Sequence, residues 1–377
     1  MSCDLIQLAN PGVASLQPYQ PGKPMDELER ELGISNIIKL ASNENPYGPG
    51  KAALAVLENP GDLSRYPDGN GFRLKSALAR YHDIRPDQIT LGNGSNEILE
   101  LIARAVLSAS HEVVFSEHAF AVYPLVTQAM GARASTVPAV NWGHDTAGFL
   151  RAITEHTRII FIANPNNPTG TWLKKNNLRP LLEAIPENII VVLDEAYCDY
   201  VTDPDYPDGI KWLPDFPNLL VTRTFSKAYG LAGLRVGYAL GSREVADLMN
   251  RVRQPFNVNS VAQAGAVAAL ADQDFVQRSH DLNAQGMAQL TEGFRTLGIT
   301  YIPSFGNFVS FRIGDARRAY QRMLERGVIV RPIGSYGLPA HLRVSVGLPD
   351  ENERFLKALQ GVLRDGGPAP SVETMNS

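Results

Sequence analysis

The sequence predicts an α/β architecture: a large domain on a mostly parallel, doubly wound sheet, followed by a smaller α/β domain. Three observations predict it. The chain has 377 residues, more than one core usually organises, so two domains are the starting expectation. From about residue 70 onward, helical patterns alternate with short apolar runs. Several of those runs are apolar on consecutive residues rather than alternate ones, as strands covered on both faces are.

Residues 1–50 are rich in Pro, Asn and Gly, with one helix candidate, "MDELERELG", ended by Gly33. They are expected to form an arm that joins the small domain. In the large domain, 51–285, "GFRLKSALARYH" (71–82) is helical. "QITLGNG" is a strand into a glycine loop, and "SNEILELIARAVL" an amphipathic helix with a polar start. "EVVFSE", "RIIFIANP", "NIIVVLDEAY", "NLLVTRTFSK" and "VGYALG" are strands, spaced widely enough for crossover helices. A parallel sheet is therefore expected through about 90–245. Helices "EVADLMNRVRQ" and "DFVQRSHDLNAQGMAQLTEGFRTLG" follow. In the small domain, 286–364, strands "YIPSFGNFVSFRI", "GVIVRPI" and "HLRVSVG" alternate with helices "DARRAYQRMLERG" and "NERFLKALQGVLR". The segment 365–377 reads as a disordered tail.

Composition excludes several function classes. Hydrophobic residues make up 44% and charged ones 20%, ordinary for a soluble globular protein. A net charge of -4 with mixed signs argues against a nucleic-acid surface, which needs a basic stripe. The start "MSCDLIQLANPG" has neither the basic nor the apolar part of a signal peptide. Apolar runs such as "IIVVL" fall far short of the ~20 residues of a membrane helix. The two cysteines, Cys3 and Cys198, have no metal-ligand spacing, so no metal site or disulfide framework is expected and a cytoplasmic location is. Cys198 reads as a packed thiol, with no base partner in the sequence around it.

Ligands of open parallel sheets bind at the carboxyl ends of the strands. Three apolar strands end there in polar groups: Asn164 and Asn167; Asp194, Glu195 and Tyr197; Ser226 and Lys227. Each has a plain reading by itself: an Asn-Pro turn, a helix cap or ion pair, a surface lysine. A fourth element, "LGNGSNEIL", places a helix start at Ser95–Asn96 after glycines, the geometry that holds a phosphate on backbone N–H groups. It lacks the GK[ST] of a P-loop and a full G-x-G-x-x-G. Thr224, Ser226, Lys227 and Arg235 surround a turn of Gly and Ala residues. Pyridoxal 5′-phosphate (PLP) is the one cofactor that needs this whole set. Lys227 would form its imine, Asp194 would stay ionised beside its ring nitrogen, and Ser226, Arg235, Ser95 and Asn96 would hold its phosphate.

With these residues in hand, the chain resembles the fold-type-I PLP-dependent aminotransferases. The motifs that carry the resemblance are "NPNNPTG" (164–170), "DEAY" (194–197) and "SKAYGLAGLRVGY" (226–238), in that order. Within them it is similar to the histidinol-phosphate aminotransferase family, through "LQPYQPGKP", "KLASNENPYGP", "RYPDG", "NFVSFR" and "LRVSVG". The resemblance covers nearly everything but the tail. It implies Lys227 as the Schiff-base lysine and proton shuttle, Asp194 on the ring nitrogen, and Asn167 and Tyr197 on the phenolic oxygen. It implies Phe120 stacked on the ring, and a cis peptide at Asn167–Pro168. Tyr66 is implied to reach the cofactor of a second subunit, hence a homodimer with shared active sites. Tyr19, Asn43, Arg331 and Arg343 are implied to line the substrate pocket. The implied reaction is histidinol phosphate plus 2-oxoglutarate to imidazole acetol phosphate plus glutamate, a step of histidine biosynthesis. An aromatic amino-acid (Phe/Tyr) aminotransferase on the same scaffold stays open. Threonine-phosphate decarboxylase is disfavoured by the "PYQPGKP" arm, and a PLP-domain regulator by an N-terminus too short and too little basic to bind DNA.

Overall fold

The computed structural model describes residues 5–365. Cys3 and the tail beyond Asp365 lie outside the described residues. Asp365 itself ends the helix Pro349–Asp365 and pairs with Arg326 at 2.5 Å.

After a two-residue strand, β1 (Ile38–Lys39), seven strands build one sheet: β2 (Ile89–Gly92), β3 (Glu112–Ser116), β4 (Arg133–Val137), β5 (Thr157–Ala163), β6 (Ile190–Asp194), β7 (Leu219–Thr224) and β8 (Gly237–Leu240). Their spatial order is β2-β8-β7-β6-β5-β3-β4. The consecutive apolar residues do serve two cores. Along β5, Ile160 and Ile162 enter one, and Ile159, Phe161 and Ala163 the other. Val191 and Leu193 of β6 face the first core, and Val192 the second.

Two features depart from the expected sheet. β8 runs antiparallel to both its neighbours, β2 and β7. The link from β7 to β8 carries only a three-residue turn, Ala232–Leu234, and folds back with the Phe225 N–H donating to Val236 O at 3.1 Å. A parallel return usually runs through a crossover α-helix, which this twelve-residue link lacks. β4 was not among the expected strands. It is the edge strand, its residues Arg133, Ala134 and Thr136 are exposed, and its polar side chains blunt that edge.

A second sheet contains β9 (Tyr301–Ile302) and β10 (Phe308–Arg312). β11 (Val328–Ile329) follows, outside that sheet, and then come its remaining strands, β12 (Arg331–Pro332) and β13 (His341–Ser345). The second sheet is antiparallel in the order β12-β13-β10-β9. The expected strand 301–313 is thus broken in two around Ser304–Gly306. "GVIVRPI" also divides: β11 pairs in parallel with β1 of the N-terminal segment, and β12 with β13. A separate core fills this part, with Phe294, Phe311, Phe355 and Met323 fully buried. The 24-residue helix Gln273–Thr296 serves both cores, through Val276 at one end and Leu290 and Phe294 at the other.

Candidate active site

One cavity of about 190 Å³ opens where β5, β6 and β7 end, with β12, β13 and the N-terminal segment over it. Fourteen of the fifteen residues expected at the site line it: Tyr19, Asn43, Ser95, Asn96, Phe120, Asn167, Asp194, Tyr197, Thr224, Ser226, Lys227, Arg235, Arg331 and Arg343. Tyr66 does not. It is 83% exposed, on the surface, with its ring stacked on Phe256 at 4.7 Å.

β6 delivers the carboxylate. Successive side chains on a strand point to opposite faces. Asp194 therefore faces the cavity, while Glu195 turns away into a buried pair with Arg223 at 2.7 Å. Asp194 is buried yet well supplied with donors. Tyr123 Oη donates to its Oδ2 at 2.9 Å and Thr222 Oγ1 to its Oδ1 at 3.1 Å. Burial raises its pKa above the usual carboxylate range, and these hydroxyls, the Ala196 N–H and the charge of Lys227 offset part of that rise.

β7 delivers the amine. Lys227 Nζ donates to Ser42 O at 3.0 Å and lies 5.7 Å from the centre of the Tyr197 ring. Desolvation pushes the lysine pKa down to about 7, and the positive charges of Arg343 and Arg235 push the same way. Much of this amine is therefore neutral near pH 7, which an attacking nitrogen or a proton carrier requires. Tyr197 is pushed up to about 12 by burial and stays a phenol, accepting from Asn43 Nδ2 at 2.9 Å.

The anion cup lies at the other end. The helix Ser95–Val106 starts at the cavity, presenting the positive end of its dipole. Arg235, in the left-handed region at φ 56°, donates to Ser226 Oγ at 3.3 Å. Gly94 precedes the helix at φ 77° and ψ 167°. A Cβ there would stand 2.4 Å from Arg235 Nη2, so a side chain would fill the cradle.

The roof carries two guanidiniums. Arg331 donates to Gln20 O at 2.6 Å and lies 5.2 Å from the Tyr19 ring centre. Arg343 donates to Ala41 O at 2.8 Å and to Asn167 Oδ1, and its buried Nε has no hydrogen-bond partner among the described residues. Neither meets a carboxylate there. Asn167–Pro168 is cis, and so is Asn164–Pro165, which the sequence reading missed.

Also missed were Tyr123 and Thr222 on Asp194, Ser345 and Tyr336. Ser345 Oγ accepts from Asn43 N at 2.8 Å and donates to Asn43 Oδ1 at 3.0 Å, and Tyr336 lines the cavity. Tyr123 sits three residues after Phe120 in "HAFAVY", so a search for hydroxyls beside the stacking aromatic was the available signal. For Ser345 there was none. Among the described residues no group of three or more His, Cys, Asp or Glu side chains could hold a metal, and no helix is long and apolar enough to cross a membrane.

This geometry fits a planar, phosphorylated pyridine aldehyde. There is a cup for a phosphate, an amine within the cavity, a carboxylate for a ring nitrogen, and an amide and phenol for a ring oxygen. Comparison with known proteins agrees. Residues 35–359 match the family model "Aminotransferase class I and II". The chain belongs to this family. It is an aminotransferase. It is 58% identical to histidinol-phosphate aminotransferase 2 of Pseudomonas fluorescens over 96% of this chain and 99% of that one. It is 56% identical to histidinol-phosphate aminotransferase of Methylobacillus flagellatus, over 96% and 98%. Among solved structures, histidinol-phosphate aminotransferase of Sinorhizobium meliloti in complex with pyridoxal-5′-phosphate matches with a TM-score of 0.88. That match has 33% identity and covers 94% of this chain and 97% of that one.

Proposed function

We propose that this aminotransferase moves the amino group of histidinol phosphate to 2-oxoglutarate, with PLP as its cofactor, in histidine biosynthesis. Relatives of that name, 53–58% identical over nearly the whole chain, support the reaction. The observation that carries the substrate is the pair of roof guanidiniums, Arg331 and Arg343, neither of which meets a carboxylate among the described residues. A buried N–H without a partner, such as Arg343 Nε, is costly until an anion occupies it. One arginine fork can take the carboxylate of 2-oxoglutarate or the phosphate of histidinol phosphate. A second arginine suits a phosphate dianion better than an uncharged aromatic ring.

When bound, PLP supplies an electron sink for the pair left behind as a C–H bond of the donor breaks. The chain's own residues do the rest. Lys227 Nζ, its pKa lowered to about 7, would take the proton from that carbon and give it up at the cofactor's former aldehyde carbon. Asp194 keeps a negative charge at the ring nitrogen's position. Of the cavity's lining residues, Asn167 and Tyr197 would hold the ring oxygen, Phe120 would cover the ring, and Arg235, Ser226, Thr224 and the helix start at Ser95–Asn96 would hold the phosphate. Tyr19 and Asn43 close the substrate side.

We further propose a cytoplasmic homodimer, in which Tyr66 reaches the second subunit's cofactor. Its 83% exposure, beside exposed Leu63, Phe72 and Phe256, supports this. The proposed division is an arm (1–50), a large PLP-binding domain (51–285) and a small domain (286–364), the last boundary falling within the helix Gln273–Thr296. The experiment is single-turnover absorption spectroscopy of the holoenzyme with a panel of amino donors. Histidinol phosphate is expected to react with the highest kcat/KM. A preference for phenylalanine or tyrosine of ~10-fold or more, about 1.4 kcal/mol, makes the protein an aromatic aminotransferase instead.

A further inference from the structure

The hydroxyls of Tyr123 and Thr222 approach the same carboxylate from two different elements. Tyr123 belongs to the helix Val122–Ala129 and Thr222 to β7. Tyr123 is 1% exposed and Thr222 fully buried. The Tyr123 ring lies flat on Phe161, with centroids 4.5 Å apart and planes 5° apart, so the phenol has a fixed direction. We propose that Tyr123 and Thr222 are positioning residues of the reaction, each hydroxyl holding one oxygen of Asp194 so that the carboxylate keeps one orientation toward the cofactor. This rests on the cofactor reading above.

A bland alternative is that a buried phenol needs an acceptor and Asp194 happens to be near. The geometry says more. A carboxylate held by one donor can still swing about its side-chain torsions, whereas one donor on each oxygen, at 2.9 and 3.1 Å, removes that freedom. The groups that face Asp194 divide by sign of effect. Burial raises its pKa, and Tyr123, Thr222, the Ala196 N–H and the Lys227 charge lower it. Tyr197 faces the same space as a neutral phenol. Losing either hydroxyl therefore frees the carboxylate and eases its protonation as pH falls. The two effects converge on how tightly the site holds a pyridinium.

The test uses Tyr123→Phe and Thr222→Val, singly and together, with Thr222→Ser as the control that keeps a hydroxyl. Each is made in the wild-type and the Asp194→Asn background. The readout is the PLP dissociation constant of the full chain, from absorption titrations across pH. With Asp194 present, each hydroxyl lost is expected to weaken PLP about tenfold, the scale of a hydrogen bond to a charged group. The acid limb of PLP affinity should move to higher pH. In the Asp194→Asn background the same substitutions are expected to matter less than about twofold, because the coupled partner is gone. Thr222→Ser should bind like wild type. Equal losses in both backgrounds, an unmoved acid limb, or no loss at all overturns the proposal while wild-type PLP binding stands. Wild-type protein that takes up no PLP overturns the cofactor reading itself and this proposal with it. If Tyr123→Phe does not fold, the contrast of Thr222→Val with Thr222→Ser decides alone.

Discussion

Replacing Gly94 by alanine tests the anion cup with a single methyl group. Gly94 sits at φ 77° and ψ 167°, a region essentially reserved for glycine, so alanine should cost about 1–3 kcal/mol of folding stability. The second effect is local. The new Cβ would lie 2.4 Å from Arg235 Nη2 and 3.0 Å from its Cζ, so the guanidinium must shift from the place where it faces the cup. Losing one charge-assisted hydrogen bond to the cofactor phosphate is worth about 1.5–3 kcal/mol, or roughly 10- to 150-fold in PLP affinity. Thermal unfolding of the cofactor-free protein measures the first effect, and absorption titration with PLP the second. Arg235→Ala should weaken PLP to a similar degree, and adding Gly94→Ala to it should weaken PLP little further, because both remove the same contact. Gly94→Ala that binds PLP within twofold of wild type would refute the reasoning.

Other outcomes follow from the same site. The Lys227 pKa is lowered to about 7, so its neutral form grows as pH rises through that value; the rate at which cofactor-free protein takes PLP onto the lysine should climb through about pH 7 and then level off, as stopped-flow absorption would record. Asp194→Asn should fold and bind PLP but turn over ~100-fold or more slower, since an amide cannot supply the charge; a near-wild-type kcat removes Asp194 from the mechanism. Arg343→Ala should damage both half-reactions, whereas Arg331→Ala should lower kcat/KM for histidinol phosphate more than for phenylalanine; equal losses would detach Arg331 from phosphate recognition. Tyr66→Phe should loosen PLP only if subunits share sites, so a fully active monomer in sedimentation would contradict the dimer.

The site was readable because its chemistry sits at predictable places. Polar residues that follow runs of buried residues, as Asp194 follows Val191–Leu193, need partners, and strand ends in an α/β sheet are where they find a ligand. Distant partners were not readable. Ser345 meets Asn43 across 302 positions, and Thr222 meets Asp194 from a neighbouring strand, contacts that no local pattern encodes. The direction of β8 also escaped, because strand propensity is blind to direction, and it is the fold-back of the link, with Phe225 hydrogen-bonded to Val236, that sets it. The helix Ser260–Ala271 was passed over for a related reason. It is Ala-rich, with apolar residues around most of its surface, so no 3.6-residue stripe marks it. The edge strand β4 reads as loop because three of its five side chains face solvent.

The most direct measurement maps the site of covalent attachment. Holoenzyme is reduced with borohydride, digested and analysed by peptide mass, at rest, after histidinol phosphate alone, and after histidinol phosphate followed by 2-oxoglutarate. The account predicts one reduced cofactor on the peptide carrying Lys227 at rest. It predicts loss of that label once histidinol phosphate has given its amino group to the cofactor, and return of the label once 2-oxoglutarate has taken the group away. Attachment at another lysine, or a label on Lys227 that histidinol phosphate does not remove, would contradict it.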